Sequence, residues 1–425
     1  MSTDLRTRRA LLELLPGTDA DTGGVGVPAL AALWDCPPHD AAATARTLAL
    51  EGRLRRLAPY RAHPEQQRFK PARSRGVEQI AAQVKRAAAG REDRVALQRL
   101  LTYYRQHSLA AEQALSGLPA PEPTPVLWDA DTAHAWTSVE IDRVIQAQEL
   151  AWAARMPIAA LMLGSGLWST LWASEDHVRA RRVQRTAAAA ARCHALPAAQ
   201  RALIHARLAW ALWAAPVCRL AELQEAAGEA VRSLRSPAPP GDRRAERVVA
   251  DTAVAMLHHA WGEHSRAAQV LRTALDGDLA DEQERCVART LLSRVLEEQA
   301  RRTGDQDLLR EAQDQARLAV LAIDPGPSAP PVRVLAWARA VGQHAGLLAA
   351  ADARREAAQL LDRALEVLRG RGVYQHDRRA LRAQRAEIDR VHAPTPVDTP
   401  AVGPPTRRTG RRPLATTAPA TRERS

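Results

Sequence analysis

Apolar residues recur at three- and four-residue spacing along most of the chain, a pattern that predicts helix after helix. Residues 5–15 (LRTRRALLELL) form the first predicted helix. It stops at Pro16-Gly17, because proline cannot continue the hydrogen-bond ladder and glycine suits the turn. After a Gly-rich loop, residues 27–34 (VPALAALW) predict a second helix. Pro37-Pro38 then breaks the chain, Asp40 is placed to cap a third helix over 41–51, and Gly52 ends it. Residues 53–57 and 67–69 flank a polar segment holding Pro59 and Pro64, and read as a small hairpin. Three helices and a hairpin in that order predict a winged-helix-like domain over residues 1–76.

Residues 77–118 predict two helices broken at Gly90, with Leu97, Leu100, Leu101 and Tyr104 on one stripe. Residues 119–130 open with PAPEPTPV, a stiff Pro-rich linker. Residues 131–392 are continuous helical pattern with an internal repeat. Ala187, Ala230, Ala274, Ala319 and Ala364 fall 43, 44, 45 and 45 residues apart. One unit runs Ala255, Gly262, Ala267, Leu271, Ala274. A second runs Ala345, Ala357, Leu361, Ala364, with Asp352 where the turn glycine stood. A third keeps Gly304, Ala312, Ala316 and Ala319 with three extra turn residues, and a weaker fourth has Ala211, Leu223, Ala227 and Ala230. This is tetratricopeptide-like spacing. Small residues let helix backbones approach, and a helix pair that cannot bury its apolar face alone must stack on its neighbours. The expected fold is therefore all-α: a tetratricopeptide-like solenoid, curved like a rod, behind the small N-terminal domain. Residues 393–425 turn to Pro, Thr, Arg and Ala without periodicity, and predict a disordered basic tail.

Composition changes this picture little. The net charge of +12 is spread along the chain, an excess of about four at each end and about four over the long body. Lysine stands only at positions 70 and 85, so the charge is arginine on solvated faces. Cys36, Cys193, Cys218 and Cys286 are far apart and form no C-x-x-C, no signal peptide is evident, and no run is long and apolar enough to span a bilayer. A cytoplasmic protein without membrane contact is expected.

Several short motifs point the same way. Residues 11–17 (LLELLPG), Gly52-Arg53-Leu54, Arg68-Phe69-Lys70-Pro71, and residues 97–104 (LQRLLTYY) resemble the winged helix and linker helix of bacterial NB-ARC (STAND-class) regulatory ATPases. Ala135-Trp136 through Glu140 to Val144, then Leu167-Trp168, is similar to the start of the sensor array in the same family. The family's P-loop is missing here. Lys70 is followed by Pro71 and Lys85 by Arg86, and neither lysine follows glycine, so a Walker A motif is excluded. The family's nucleotide-sensing His-Asp pair falls on Lys70-Pro71. The resemblance thus implies the sensor half of a regulator without its motor, standing alone or working beside a separately encoded ATPase.

No catalytic constellation emerges, and the chain reads as a non-enzyme without cofactor or metal. His258 and His259 point to different faces and His264 lies beyond the turn at Gly262, which favours packing or ligand contact over metal binding. Cys193-His194 are adjacent without an oxyanion loop, Gly164-Ser165-Gly166 lies within a helix, and Gly23-Gly24-Val25-Gly26 is a loop. Two readings follow. The favoured one is a regulatory scaffold binding a protein or peptide on inward-facing residues His205, Leu208, Thr252, Met256, His259 and Arg339, with one or two of the array's tryptophans as anchors. The alternative is a winged-helix transcriptional regulator touching DNA through Arg46, Arg53, Arg55, Arg56, Arg61, Arg68 and Lys70, with the array as sensor.

Overall fold

The computed structural model describes residues 2–15, 24–57, 67–72, 76–86, 92–119, 127–235, 244–276, 281–326, 328–370 and 372–392. The expected break at Gly90, the stop at Pro16-Gly17, the body of the Pro-rich linker and the basic tail lie outside these residues.

The chain opens with α1 (Ser2–Leu11), which tightens into a 3-10 turn at Leu12–Leu14. Then come β1 (Val25–Gly26), α2 (Val27–Trp34), α3 (Pro38–Leu50), β2 (Leu54–Leu57) and β3 (Arg68–Pro71). The strands form one antiparallel sheet in the order β1-β3-β2, with Val25 and Arg56 on either side of Phe69. Phe69, the one phenylalanine of the chain, is fully buried with Leu14, Leu30, Leu33 and Leu48. Two points depart from expectation. The strand β1 went unforeseen because two residues carry no alternation to read. In addition, α3 begins at Pro38 behind Pro37, which puts Asp40 in the first turn instead of at the cap. Proline's fixed φ suits that first position, and the acid still faces the positive end of the helix dipole.

The remaining elements are helical. They are α4 (Val77–Arg86), α5 (Glu92–Ser116), α6 (Ala130–Ala153), α7 (Pro157–Ser165), α8 (Trp168–Ser174), α9 (His177–Cys193), α10 (Ala198–Trp213) and α11 (Leu220–Leu234). They continue with α12 (Arg244–Ala260), α13 (His264–Asp276), α14 (Glu282–Thr303), α15 (Gln306–Leu321), α16 (Pro331–Ala350) and α17 (Arg354–Val367). A 3-10 turn at Gly372–Tyr374 leads into α18 (Gln375–His392). Aspartates start several of them: Asp129, Asp176, Asp281 and Asp305 each accept a backbone N–H of the first turn. Gly262, Gly304 and Asp352 all take left-handed φ (76°, 74° and 68°) in the turns between paired helices. Asp352 thus adopts the backbone that glycine adopts in the other two units, and aspartate is among the few side chains that tolerate it.

Helices α10, α12, α14 and α16 pack side by side as an inner layer, each backed by the helix that follows it. The phased alanines Ala187, Ala230, Ala274, Ala319 and Ala364 are all buried where the layers meet. Across the outer layer, Arg185 of α9 pairs with Glu222 of α11, and Arg272 of α13 with Glu311 of α15. The packing is that of an all-helical repeat array.

The array is not the open rod that its spacing suggests. Helix α16 returns to pack on α5 and α8, and the 3-10 turn before α18 packs on α6 and α8. Gly117, just beyond α5, lies so close to Pro330 that a Cβ there would sit 2.4 Å from the proline ring. Arg339 of α16 donates to the carbonyls of Trp172 (3.0 Å) and Ala173 (3.3 Å) at the end of α8. The two ends of the curve are joined, and the inner layer lines a half-open hollow. Among the described residues, no helix is long and apolar enough to cross a membrane.

Candidate functional site

The hollow has two lobes of about 350 Å³ and 220 Å³ that share Trp172, Trp210, Met256 and Val287 in their walls. The first lobe is completed by Glu175, His177, Trp213, Arg294 and Arg339. The second is completed by Glu112, Trp168, Ser169, Arg207 and Thr252, among others. The volumes are in the range of small-ligand sites, and the mixture of indole faces with a few polar groups is typical of them. Each inner helix contributes side chains one or two turns apart on one stripe: Arg207 and Trp210 on α10, Thr252 and Met256 on α12, Val287 and Arg294 on α14.

The charged groups differ in how fully they are engaged. Arg339 is held closely: Nε donates to Asp377 (2.8 Å), Glu175 lies 3.4 Å away, and the guanidinium stacks on the Trp172 indole at 4.1 Å. Glu175 also meets His376 (3.1 Å). Glu112 accepts from the Ser169 backbone N–H (2.8 Å) and hydroxyl (2.9 Å), while burial pushes its carboxyl above the usual range. Arg294 opens onto the first lobe, with one long hydrogen bond to Gln343 (3.4 Å). Arg207 lies over the Trp168 indole at 4.9 Å, and its Nε is sealed from solvent without a hydrogen-bond partner. Burial pushes the pKa of His177 down, against the pull of Glu175.

The six residues expected in a partner groove do not form one surface. Met256 borders both lobes, Thr252 the second and Arg339 the first. Leu208 is buried outside either lobe. His205 is buried with both ring nitrogens unpartnered, its pKa pushed down to about 4 by desolvation, so it is a neutral core side chain. His259 lies elsewhere on the inner layer. Of the segment expected within a helix, Gly166 ends α7 rather than lying inside it, and a Cβ there would meet the Ser108 backbone of α5 at 2.7 Å.

His259 comes together with His264 and Glu298, all ligand atoms within 4.8 Å, although the turn at Gly262 lies between the histidines. The hydrogen bonds decide its state. Trp213 Nε1, which can only donate, meets His259 Nδ1 at 3.3 Å, so that nitrogen accepts. The single proton is then on Nε2 and is donated to Glu298 at 2.9 Å. Both nitrogens are engaged in a chain linking α10, α12 and α14, and metal ligation would have to break one of those bonds.

The candidate nucleic-acid contacts separate. Arg46 on α3, Arg53 just past it, and Arg55 and Arg56 on β2 are exposed, while Lys70 on β3 is half-buried opposite Arg55. Arg61 lies outside the described residues. Arg68 is 2% exposed and donates to the Gly24 carbonyl (2.9 Å), so it does not face solvent and is withdrawn as a phosphate contact. Its charge acts on Glu140 of α6 instead. That carboxyl is buried beside Arg143 and the Tyr104 hydroxyl, and desolvation raises it to about 7 against the pull of both arginines. The cluster ties the N-terminal unit to the array, and no local spacing announces it.

Compared with known proteins, the chain matches no family model and no curated protein.

Proposed function

We propose that the chain is a non-catalytic regulatory scaffold, in which a tetratricopeptide-like array behind a winged-helix-like head takes a protein or peptide segment into its interior. The observation that supports this most is the two-lobed space, walled by indoles of α8 and α10 and by arginines of α10, α14 and α16. The scale of the lobes favours a few residues of a partner over a folded domain. The turn geometry at Gly262, Gly304 and Asp352 and the buried alanine phase support the repeat assignment. The order of three helices and three strands supports the head. In this reading the head or the outer layer passes the signal on, as the resemblance to NB-ARC sensor halves implies, and a separately encoded ATPase is one candidate recipient.

The test is retention by immobilised protein. Val287 borders both lobes, so Val287→Trp fills the shared wall. Partners held by the wild type and lost with Val287→Trp support interior binding. Partners held equally by both place it elsewhere and count against the reading.

A second reading, DNA binding by the head, has one observation in its favour. Arg53, Arg55 and Arg56 are all exposed at the start of the β2–β3 pair, three cations within four residues that can meet phosphate. Duplex binding that falls steeply with salt and is lost when Arg53, Arg55 and Arg56 become Ala would establish it. Binding unchanged by those substitutions would reject it.

A further inference from the structure

Arg207 stands half-buried in the wall of the second lobe. A guanidinium carries five N–H donors in a fixed fork and stays charged in proteins. Here, among the described residues, it forms neither a hydrogen bond nor an ion pair; it has the Trp168 face at 4.9 Å and the field of Glu112. The oxygens of Glu112 are already occupied by Ser169. Nε is sealed from solvent, and burial pushes the guanidinium pKa down. Leaving the sealed Nε unmatched is costly, while the terminal nitrogens have no protein partner among the described residues and open toward the lobe, where a ligand can meet them.

The surroundings define the partner. The second lobe is lined by Trp168, Trp172, Trp210, Met256 and Val287 together with Arg207, an apolar bed for a flat or branched hydrophobic body. The guanidinium fork matches a carboxylate with two parallel hydrogen bonds. Glu112, Asp281 and Glu284 border the same lobe against Arg207 and Arg333, so a doubly charged phosphate would meet more repulsion than a single carboxylate.

We infer that the second lobe is a carboxylate site, in which Arg207 binds the anionic end of a ligand whose apolar or aromatic body lies among Trp168, Trp172 and Trp210. The inference rests on the interior-binding reading above and names its chemistry. That chemistry occurs both at the free C-terminus of a peptide ending in a bulky apolar residue and in a free aromatic acid.

Calorimetry on the full chain with two matched pairs separates these sources: Ala-Ala-Phe against its C-terminal amide, and 2-naphthoate against 2-naphthamide. In at least one pair the acid binds tenfold or more tightly than its amide, and the pair showing the larger ratio identifies the source. Arg207→Met removes the preference for the acid while the unfolding midpoint is unchanged or raised, because a sealed and unmatched Nε–H has been removed. Arg207→Lys, which keeps the charge and loses the fork, falls between. A purely structural Arg207 would instead lower the midpoint and leave the ratios alone. Amides that bind as tightly as their acids, acid preference that survives Arg207→Met, or no binding of any probe at millimolar concentration each overturn the inference. None of these results decides the scaffold reading, which stands or falls separately on whether Val287→Trp releases the retained partner.

Discussion

Arg339→Ala is the substitution that most directly attacks the closure of the array. The wild-type guanidinium holds Asp377 at 2.8 Å, two carbonyls of α8, and the Trp172 face, while its own side chain is 17% exposed and that of Asp377 only 6%. Truncation leaves Asp377 as an uncompensated buried charge, and breaking such a pair from one side costs about 3–5 kcal/mol. Loss of the stacked cation over Trp172 adds about 0.5–2 kcal/mol. Urea unfolding followed by circular dichroism reads the sum where the transition is two-state. Hydrogen exchange over residues 372–392 reads it locally where the array unravels from one end. The companion Arg339→Met/Asp377→Asn removes both charges, and its cost should fall below that of the single change. A single change within about 1 kcal/mol of wild type, with exchange over 372–392 unaltered, would refute the claim that this pair holds the ends together.

Gly166→Ala forces a methyl against the Ser108 backbone, where the Cβ would sit at 2.7 Å. It should cost about 1–3 kcal/mol of unfolding free energy through overpacking between α7 and α5. Gly304→Ala has no atom within 4 Å of the new methyl, so only its φ of 74° opposes it. About 1–2 kcal/mol is expected in the same assay. For Glu140, the folded carboxyl is raised to about 7 from an ordinary 4.5. Its stabilising contribution is therefore complete below pH 4.5 and lost as pH rises through 7, about 3 kcal/mol in all at 1.36 kcal/mol per unit. Glu140→Gln should gain stability relative to wild type between pH 5 and pH 8 in parallel urea titrations. A difference independent of pH would show that Arg68 and Arg143 keep the carboxylate charged.

The local features of this fold were legible in the sequence because they are set by nearest neighbours in the chain. The alanine phase marked the helix contacts, and Asp352 stood at the turn position that requires left-handed φ. The start of α2 at Val27 followed from its flanking loop and apolar run. What was not legible depends on residues far apart. Arg339 reads as a groove side chain until Trp172, 167 positions earlier, is brought against it. Arg68 reads as one more wing arginine until Gly24 and Glu140 enclose it. Arg207 carried no signal, since a missing hydrogen bond is a property of the packed interior alone. The same applies to His259 and His264, which the turn separates in sequence and the inner layer reunites with Glu298.

The array closes on itself where α16 and the turn before α18 meet α5, α6 and α8. In a background with Cys36, Cys193 and Cys218 changed to Ser, Glu175→Cys and His376→Cys replace side chains that meet at 3.1 Å across the closure. A short bis-maleimide should then bridge them within one molecule, seen by mass as a single linker joining two peptides, and adding Arg339→Ala should lower the yield. Two separately capped thiols in a folded monomer would contradict the closed arrangement.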